Sequence, residues 1–174
     1  MLAIEDRQGN RLNLPRDSAG TLIRAHSPGG GSFGGGELDF QYDGQNRITQ
    51  VRDRSGSRVD YSYDPGGRLV HVKNADGRVT DYAYDAKNRM IAVMQNGNLI
   101  LRNEYDADDR VTCQTLPDGR AYTFKYSLDH SGQVVAADVH DSAGLTWKIS
   151  MSGGAQYTMK PIRSQEQTYH CSSH

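Results

Sequence analysis

Apolar and polar residues alternate in five stretches that each end on a tyrosine. Leu38, Phe40 and Tyr42 alternate with Asp39 and Gln41, and Val59, Tyr61 and Tyr63 with Asp60 and Ser62. Thr80, Tyr82 and Tyr84 alternate with Asp81 and Ala83, Leu101, Asn103 and Tyr105 with Arg102 and Glu104, and Tyr122, Phe124 and Tyr126 with Thr123 and Lys125. A period of two sends successive side chains to opposite faces of a strand. β-branched and aromatic residues suit such a pleated, half-buried surface. The pattern predicts an antiparallel sheet with one packed face and one wet face.

The five tyrosines are 21 residues apart, and Asp43, Asp64, Asp85 and Asp106 directly follow the first four. A fixed short period marks a repeat architecture, which usually supports, encloses or binds. The turns after the tyrosines read DGQNR, DPGGR, DAKNR and DADDR. An aspartate at the first position accepts hydrogen bonds from backbone amides two or three residues on. Asn46, Gly67 and Asn88 suit a left-handed fourth position, whereas Asp109 is expected to leave its turn strained or looser. A second strand follows Arg47, Arg68, Arg89 and Arg110. In it Ile48 and Val51, Leu69 and Val72, and Met90 and Val93 lie three apart. A bulge, or burial on both faces, would reconcile that spacing with a strand. Turns at Arg54-Ser55-Gly56, Ala75-Asp76-Gly77, Asn96-Gly97-Asn98 and Pro117-Asp118-Gly119 close each unit. At ~4.8 Å between strands, one strand–turn–strand–turn unit advances a sheet by about 10 Å.

Residues 1–27 are degenerate repeats, 28–36 a glycine-rich loop, 37–151 the repeat sheet, and 152–174 a polar tail expected to be disordered. The fold class is all-β: a curved antiparallel sheet of about ten to fourteen strands, an open segment of a barrel-like wrap.

The unit Y-D-x-x-[GN]-R followed by a hydrophobic residue resembles the YD, or RHS, repeat. That repeat occurs in bacterial Rhs and related polymorphic toxins, in the BC components of insecticidal toxin complexes, and in teneurins. The match is strong over residues 37–126 and weak over 4–24 and 127–151. The motif residues it assigns a structural role are Tyr42, Asp43, Arg47, Tyr63, Asp64, Gly67, Arg68, Tyr84, Asp85, Arg89, Tyr105, Asp106, Arg110, Gly119 and Tyr126. The resemblance implies a hollow β-shell. In the bacterial members it encloses a C-terminal toxin, and in teneurins it belongs to a cell-surface ectodomain. It also implies a secreted or cell-surface setting, although the chain's own location is left open. Bacterial members carry an aspartyl self-cleavage core, but here the only Asp-Pro, Asp64-Pro65, is a repeat turn.

With 20 Lys and Arg against 21 Asp and Glu, no charge field points to nucleic acid. No apolar run reaches the roughly 18 residues of a membrane helix. Cys113 and Cys171 are too few for a disulfide framework, and Cys113 reads as a small apolar filler. Gly29–Gly36 lacks the Lys-Ser/Thr of a phosphate loop. His170, Cys171 and His174 form a frayed end rather than a metal site. Asp106, Asp108 and Asp109 lack calcium-loop spacing. His71, His130 and His140 have no evident nucleophile relay, and His71 reads as a sheet-surface residue. The aromatic ladder reads as a packed face before a sugar platform.

No catalytic, cofactor or metal residue can be named, so no enzyme activity is expected. The leading reading is a structural segment of a larger shell that encapsulates or displays a toxin. Its partners would be neighbouring repeats, other copies joined through open sheet edges, or an enclosed toxin domain. The alternatives are a stand-alone sheet that binds carbohydrate or a protein surface, and a gene remnant.

Overall fold

A computed structural model describes residues 2–28, 35–152, 156–162 and 171. It divides the chain into two compact units, Met1–Asp81 and Tyr82–His174. The first holds β1 (Leu2–Glu5), β2 (Arg11–Leu14), β3 (Arg24–His26), β4 (Glu37–Tyr42), β5 (Ile48–Asp53), β6 (Arg58–Tyr63), β7 (Leu69–Lys73) and the first half of β8 (Val79–Tyr84). The second holds the rest of β8, β9 (Met90–Gln95), β10 (Asn98–Tyr105), β11 (Val111–Thr115), β12 (Ala121–Leu128), β13 (Val134–Asp141), β14 (Thr146–Ser152) and β15 (Gln156–Ile162). In each unit the strands pair antiparallel and in chain order.

The tyrosine-bearing turn has one geometry throughout. The Asp43 N–H donates to the Arg47 carbonyl at 2.9 Å, and the Asn46 N–H to the Asp43 carbonyl at 3.1 Å. The fourth position is left-handed at Asn46, Gly67, Asn88 and Asp109, with φ of 60°, 85°, 65° and 64°. The Asp109 N–H reaches the Asp106 carbonyl at 3.4 Å, the longest of these turn bonds, as its poor fit to positive φ predicts. The same turn recurs in the flanks. Asp6, Asp17, Asp129 and Asp141 each accept amides two and four residues on. The second bond is thus one residue further along than expected.

Bulges explain the three-apart pairs Ile48/Val51 and Leu69/Val72, and the fourth repeat has the same bulge. Gln41 faces Gln50 but Tyr42 faces Ile48; Ser62 faces His71 but Tyr63 faces Leu69; Glu104 faces Cys113 but Tyr105 faces Val111. One extra residue per strand therefore turns Ile48 and Val51 to the same face as Tyr42.

The third repeat contains a compensated defect. Arg52 faces Arg58, Lys73 faces Val79 and Thr115 faces Ala121, so five residues intervene each time (53–57, 74–78, 116–120). Between β9 and β10 the turn is Asn96-Gly97, both at positive φ, and Met94 faces Leu99 with only four between (95–98). A bulge then leaves Ile100 unpaired, and Leu101 faces Val93. That extra residue restores the register, so Tyr105 stays in phase.

Register puts Phe40, Tyr42, Val51, Val59, Tyr61 and Val72 on one face of the first unit. Asp39, Arg52, Arg58, Asp60, His71 and Asp81 lie on the other. The wet face is laced by Arg24–Asp39, Arg58–Asp60 and His71–Asp81 pairs.

Two expectations are corrected. The tail predicted as disordered contributes β15, which pairs with β14 from Thr146↔Ile162 to Ser152↔Gln156. Its Tyr157, Met159 and Pro161 alternate with polar residues, a period of two obscured by the low apolar content around it. With β15 the described residues hold fifteen strands, one more than the upper expectation. The second correction concerns Cys113, which is bonded to Cys171 with Cα atoms 5.7 Å apart. Most of the glycine-rich stretch, residues 29–34, lies outside the described residues, as do His170 and His174.

Candidate functional site

The motif residues assemble into an interlock within and between repeats. Asp43 Oδ1 accepts the N–H of Gln45 at 2.9 Å and of Arg47 at 3.0 Å, and Oδ2 accepts Arg47 Nε at 2.7 Å. Asp64 holds Arg68, Asp85 holds Arg89 and Asp106 holds Arg110 in the same way, with Nε distances of 2.6, 2.7 and 2.7 Å. The arginine row therefore pairs first with its own turn aspartates.

Three of the anchored guanidiniums also serve the next repeat. Arg47 lies 4.5 Å above the Tyr63 ring centre, Arg89 4.8 Å above Tyr105 and Arg110 5.6 Å above Tyr126. A cation over an aromatic face is attractive, more so when the pair is partly desolvated. The tyrosine hydroxyl reaches past the arginine and donates to the carbonyl of the residue that follows it. Tyr63 bonds Ile48 at 2.8 Å, Tyr105 bonds Met90 at 2.7 Å and Tyr126 bonds Val111 at 2.7 Å. Tyr42 makes the equivalent bond to Leu22 at 2.7 Å, which extends the interlock into the degenerate flank. Arg89 Nη1 also donates to the Asp106 carbonyl at 2.8 Å.

The electrostatics match this geometry. Asp43, Asp64, Asp85 and Asp106 are held below the ordinary carboxylate value, foremost by the backbone N–H of the arginine four residues on and further by its guanidinium. The same carboxylates raise Arg89 and Arg110. Burial pushes the Tyr126 phenol up. Asp108 and Asp109, considered as calcium ligands with Asp106, instead face Arg110 at 2.6 Å and Arg89 at 3.0 Å. His71 sits on the wet face with Nδ1 2.7 Å from Asp81.

One buried residue was not singled out from the sequence. Asn103 holds the ladder position filled by Phe40, Tyr61, Tyr82 and Phe124 in other repeats, and is 7 % exposed. Its amide donates to the Met90 carbonyl at 3.2 Å and accepts from Gln114 at 3.2 Å, so the polar group is satisfied. The break in the 21-residue aromatic series was the available signal.

Fold and interlock together define an all-β repeat protein whose unit is a 21-residue hairpin pair. Residues 42–78 and 63–98 match the family model for the RHS Repeat, so that stretch of the chain carries RHS repeats. Among solved structures it is similar to a Photorhabdus luminescens Tc holotoxin pore carrying a TccC3 mutation, at 18 % identity and TM-score 0.63 over 86 % of this chain. It is also similar to TcdB2-TccC3-TEV, at 19 % identity and TM-score 0.65 over 87 % of this chain, and to TcdB2-TccC3, at 14 % identity and TM-score 0.64 over 91 %. The chain spans about a tenth of those proteins' length, 9 %, 9 % and 10 %. A comparison with curated proteins found no match. Among the described residues no helix is long and apolar enough to cross a membrane.

Proposed function

We propose that this chain is a wall segment of a YD/RHS shell, a scaffold without catalytic activity of its own whose partners are further repeats. The observation that carries this reading is the interlock. Arg47, Arg89 and Arg110, with Tyr63, Tyr105 and Tyr126, each engage the adjacent repeat, as units of a wall that grows by addition would. In this reading the shell encloses or displays a toxin module and works outside the cell, in keeping with the resemblance to Tc toxin structures.

Repeat walls end in strands that seek a neighbour. Among the described residues β1 pairs only with β2, and Leu2 and Ile4 are 55 % and 58 % exposed. Light scattering across a concentration series is expected to show assembly of the purified chain, and Ile4→Pro is expected to suppress it. A monomer at every concentration would sink the wall-segment reading. Binding of a sugar is the second reading, favoured by the half-buried rings of Tyr61, Tyr82 and Phe124. A glycan array with saturable hits lost in Tyr82→Ala would promote it.

A further inference from the structure

We infer that the Cys113–Cys171 disulfide is a clasp that seals the C-terminal strands, guarded by Glu104, so that this end of the chain keeps its fold in an oxidising compartment and loosens on reduction. The inference does not depend on the shell reading.

The clasp joins β11 to a point beyond β15, and the 58-residue separation encloses β12, β13, β14 and β15. Among the described residues β15 pairs only with β14, so it is an edge strand open to fraying. Cys171 Sγ bonds to the face of the sheet that carries Cys113. Register places Cys113, Thr123, Ala136, Asp138 and Thr146 on that face. Cys113, Ala136 and Thr146 are 3 %, 7 % and 3 % exposed, and Thr123 Oγ1 and Asp138 Oδ1 are buried without a hydrogen-bond partner. Thr115 Oγ1 lies 3.8 Å from Cys171 Sγ.

Glu104 faces Cys113 directly across β10 and β11, and its carboxylate and the two sulfurs lie within 4.8 Å of one another. Disulfides are cleaved by thiolates, which are anions. A carboxylate at this distance repels the incoming thiolate, and the buried Cys113 is shielded from attack. The half-buried Cys171 sulfur is the accessible one. Attack there by one sulfur of an external dithiol forms a mixed disulfide and expels Cys113 as a thiolate, which takes up a proton. The dithiol's second sulfur displaces Cys171, which is protonated in turn. Two electrons have then passed to the protein, and the dithiol leaves as a disulfide. Disulfides of this kind persist outside reducing cytosol.

The test uses the full chain purified without reductant. Alkylation under denaturing conditions is expected to find no free thiol. Dithiothreitol is expected to speed amide exchange in β14 and β15 by about tenfold or more while leaving β5 and β7 unchanged. The Cys113→Ser/Cys171→Ser double variant is expected to reproduce the reduced pattern, with intact β5–β7 protection as its own control for folding. Glu104→Gln is expected to be reduced severalfold faster at low salt, with the difference shrinking at high salt. Free thiols in the untreated protein, or unchanged exchange in β14 and β15, would overturn the clasp. Equal reduction rates in Glu104→Gln and the parent would overturn the guard.

Discussion

Arg89 and Asp109 form an ion pair at 3.0 Å that links one turn to the next, although Asp109 occupies a position where glycine fits best. Two effects oppose each other at this residue. Its Cβ at φ 64° carries a conformational cost of about 1 kcal/mol. Its carboxylate, 62 % exposed, returns part of that through a pair that solvent screens. The turn's preference for glycine at this position, taken alone, predicts that Asp109→Gly stabilises. The ion pair cuts into that gain and makes Asp109→Ala the informative variant, because alanine keeps the strain and loses the pair. Urea melts are expected to place Asp109→Ala below both the parent and Asp109→Gly, the latter gap being about 1 kcal/mol. An alanine variant as stable as the glycine variant would show that the turn is not strained.

Gly67 occupies the equivalent site two repeats earlier, and Arg47 Nη1 is buried there without a hydrogen-bond partner. A Cβ on Gly67 would sit 3.4 Å from that nitrogen, at φ 85°. Gly67→Ala is therefore expected to cost about 1 kcal/mol through backbone strain. Gly67→Asp adds the same strain but offers Arg47 the acceptor that Asp109 gives Arg89. Thermal denaturation is expected to rank aspartate above alanine, the reverse of their order by size.

The sheet, its period and its turn types were legible because each rests on local rules: alternation, an aspartate that accepts amides, and glycine or asparagine at positive φ. The bulge was legible too, from Ile48 and Val51 lying three apart. What could not be read depends on where the chain returns in space. Cys113 and Cys171 are 58 residues apart, and no periodicity links them. Strand β15 was hidden by polar neighbours. The orientation of Arg89 toward Tyr105 rather than solvent is decided by packing between repeats, which a single repeat does not encode.

The tyrosine hydroxyls are open to a paired test. Tyr63→Phe removes the 2.8 Å bond to the Ile48 carbonyl and is expected to cost about 1 kcal/mol. Tyr105→Phe removes a 2.7 Å bond to the Met90 carbonyl, but Asn103 also donates to that carbonyl at 3.2 Å. Its cost is expected to be smaller, and the Asn103→Leu background is expected to raise it. Additive effects of Tyr105→Phe and Asn103→Leu in a double-mutant cycle would argue against a shared acceptor.

Acid stability follows from the four turn aspartates. Asp43, Asp64, Asp85 and Asp106 have folded values below the ordinary 3.8. Groups depressed on folding favour the native state when ionised. Their contribution is complete above the unfolded value and is lost as pH falls through the lowered folded values. Stability is therefore expected to be insensitive to these four groups from neutrality down to mild acid and to fall steeply below about pH 4. Asp85→Asn is expected to flatten that limb, since one titrating group is gone. The leading cause at each aspartate is a backbone N–H rather than a distant charge, and salt screens the second far more than the first. The acid limb is accordingly expected to survive in about 0.5 M salt, where the Debye length is only a few ångströms. Denaturant midpoints measured across pH at low and high salt separate the two causes, and an acid limb that disappears in high salt would mean that charge pairing, not the turn amides, holds these carboxylates down.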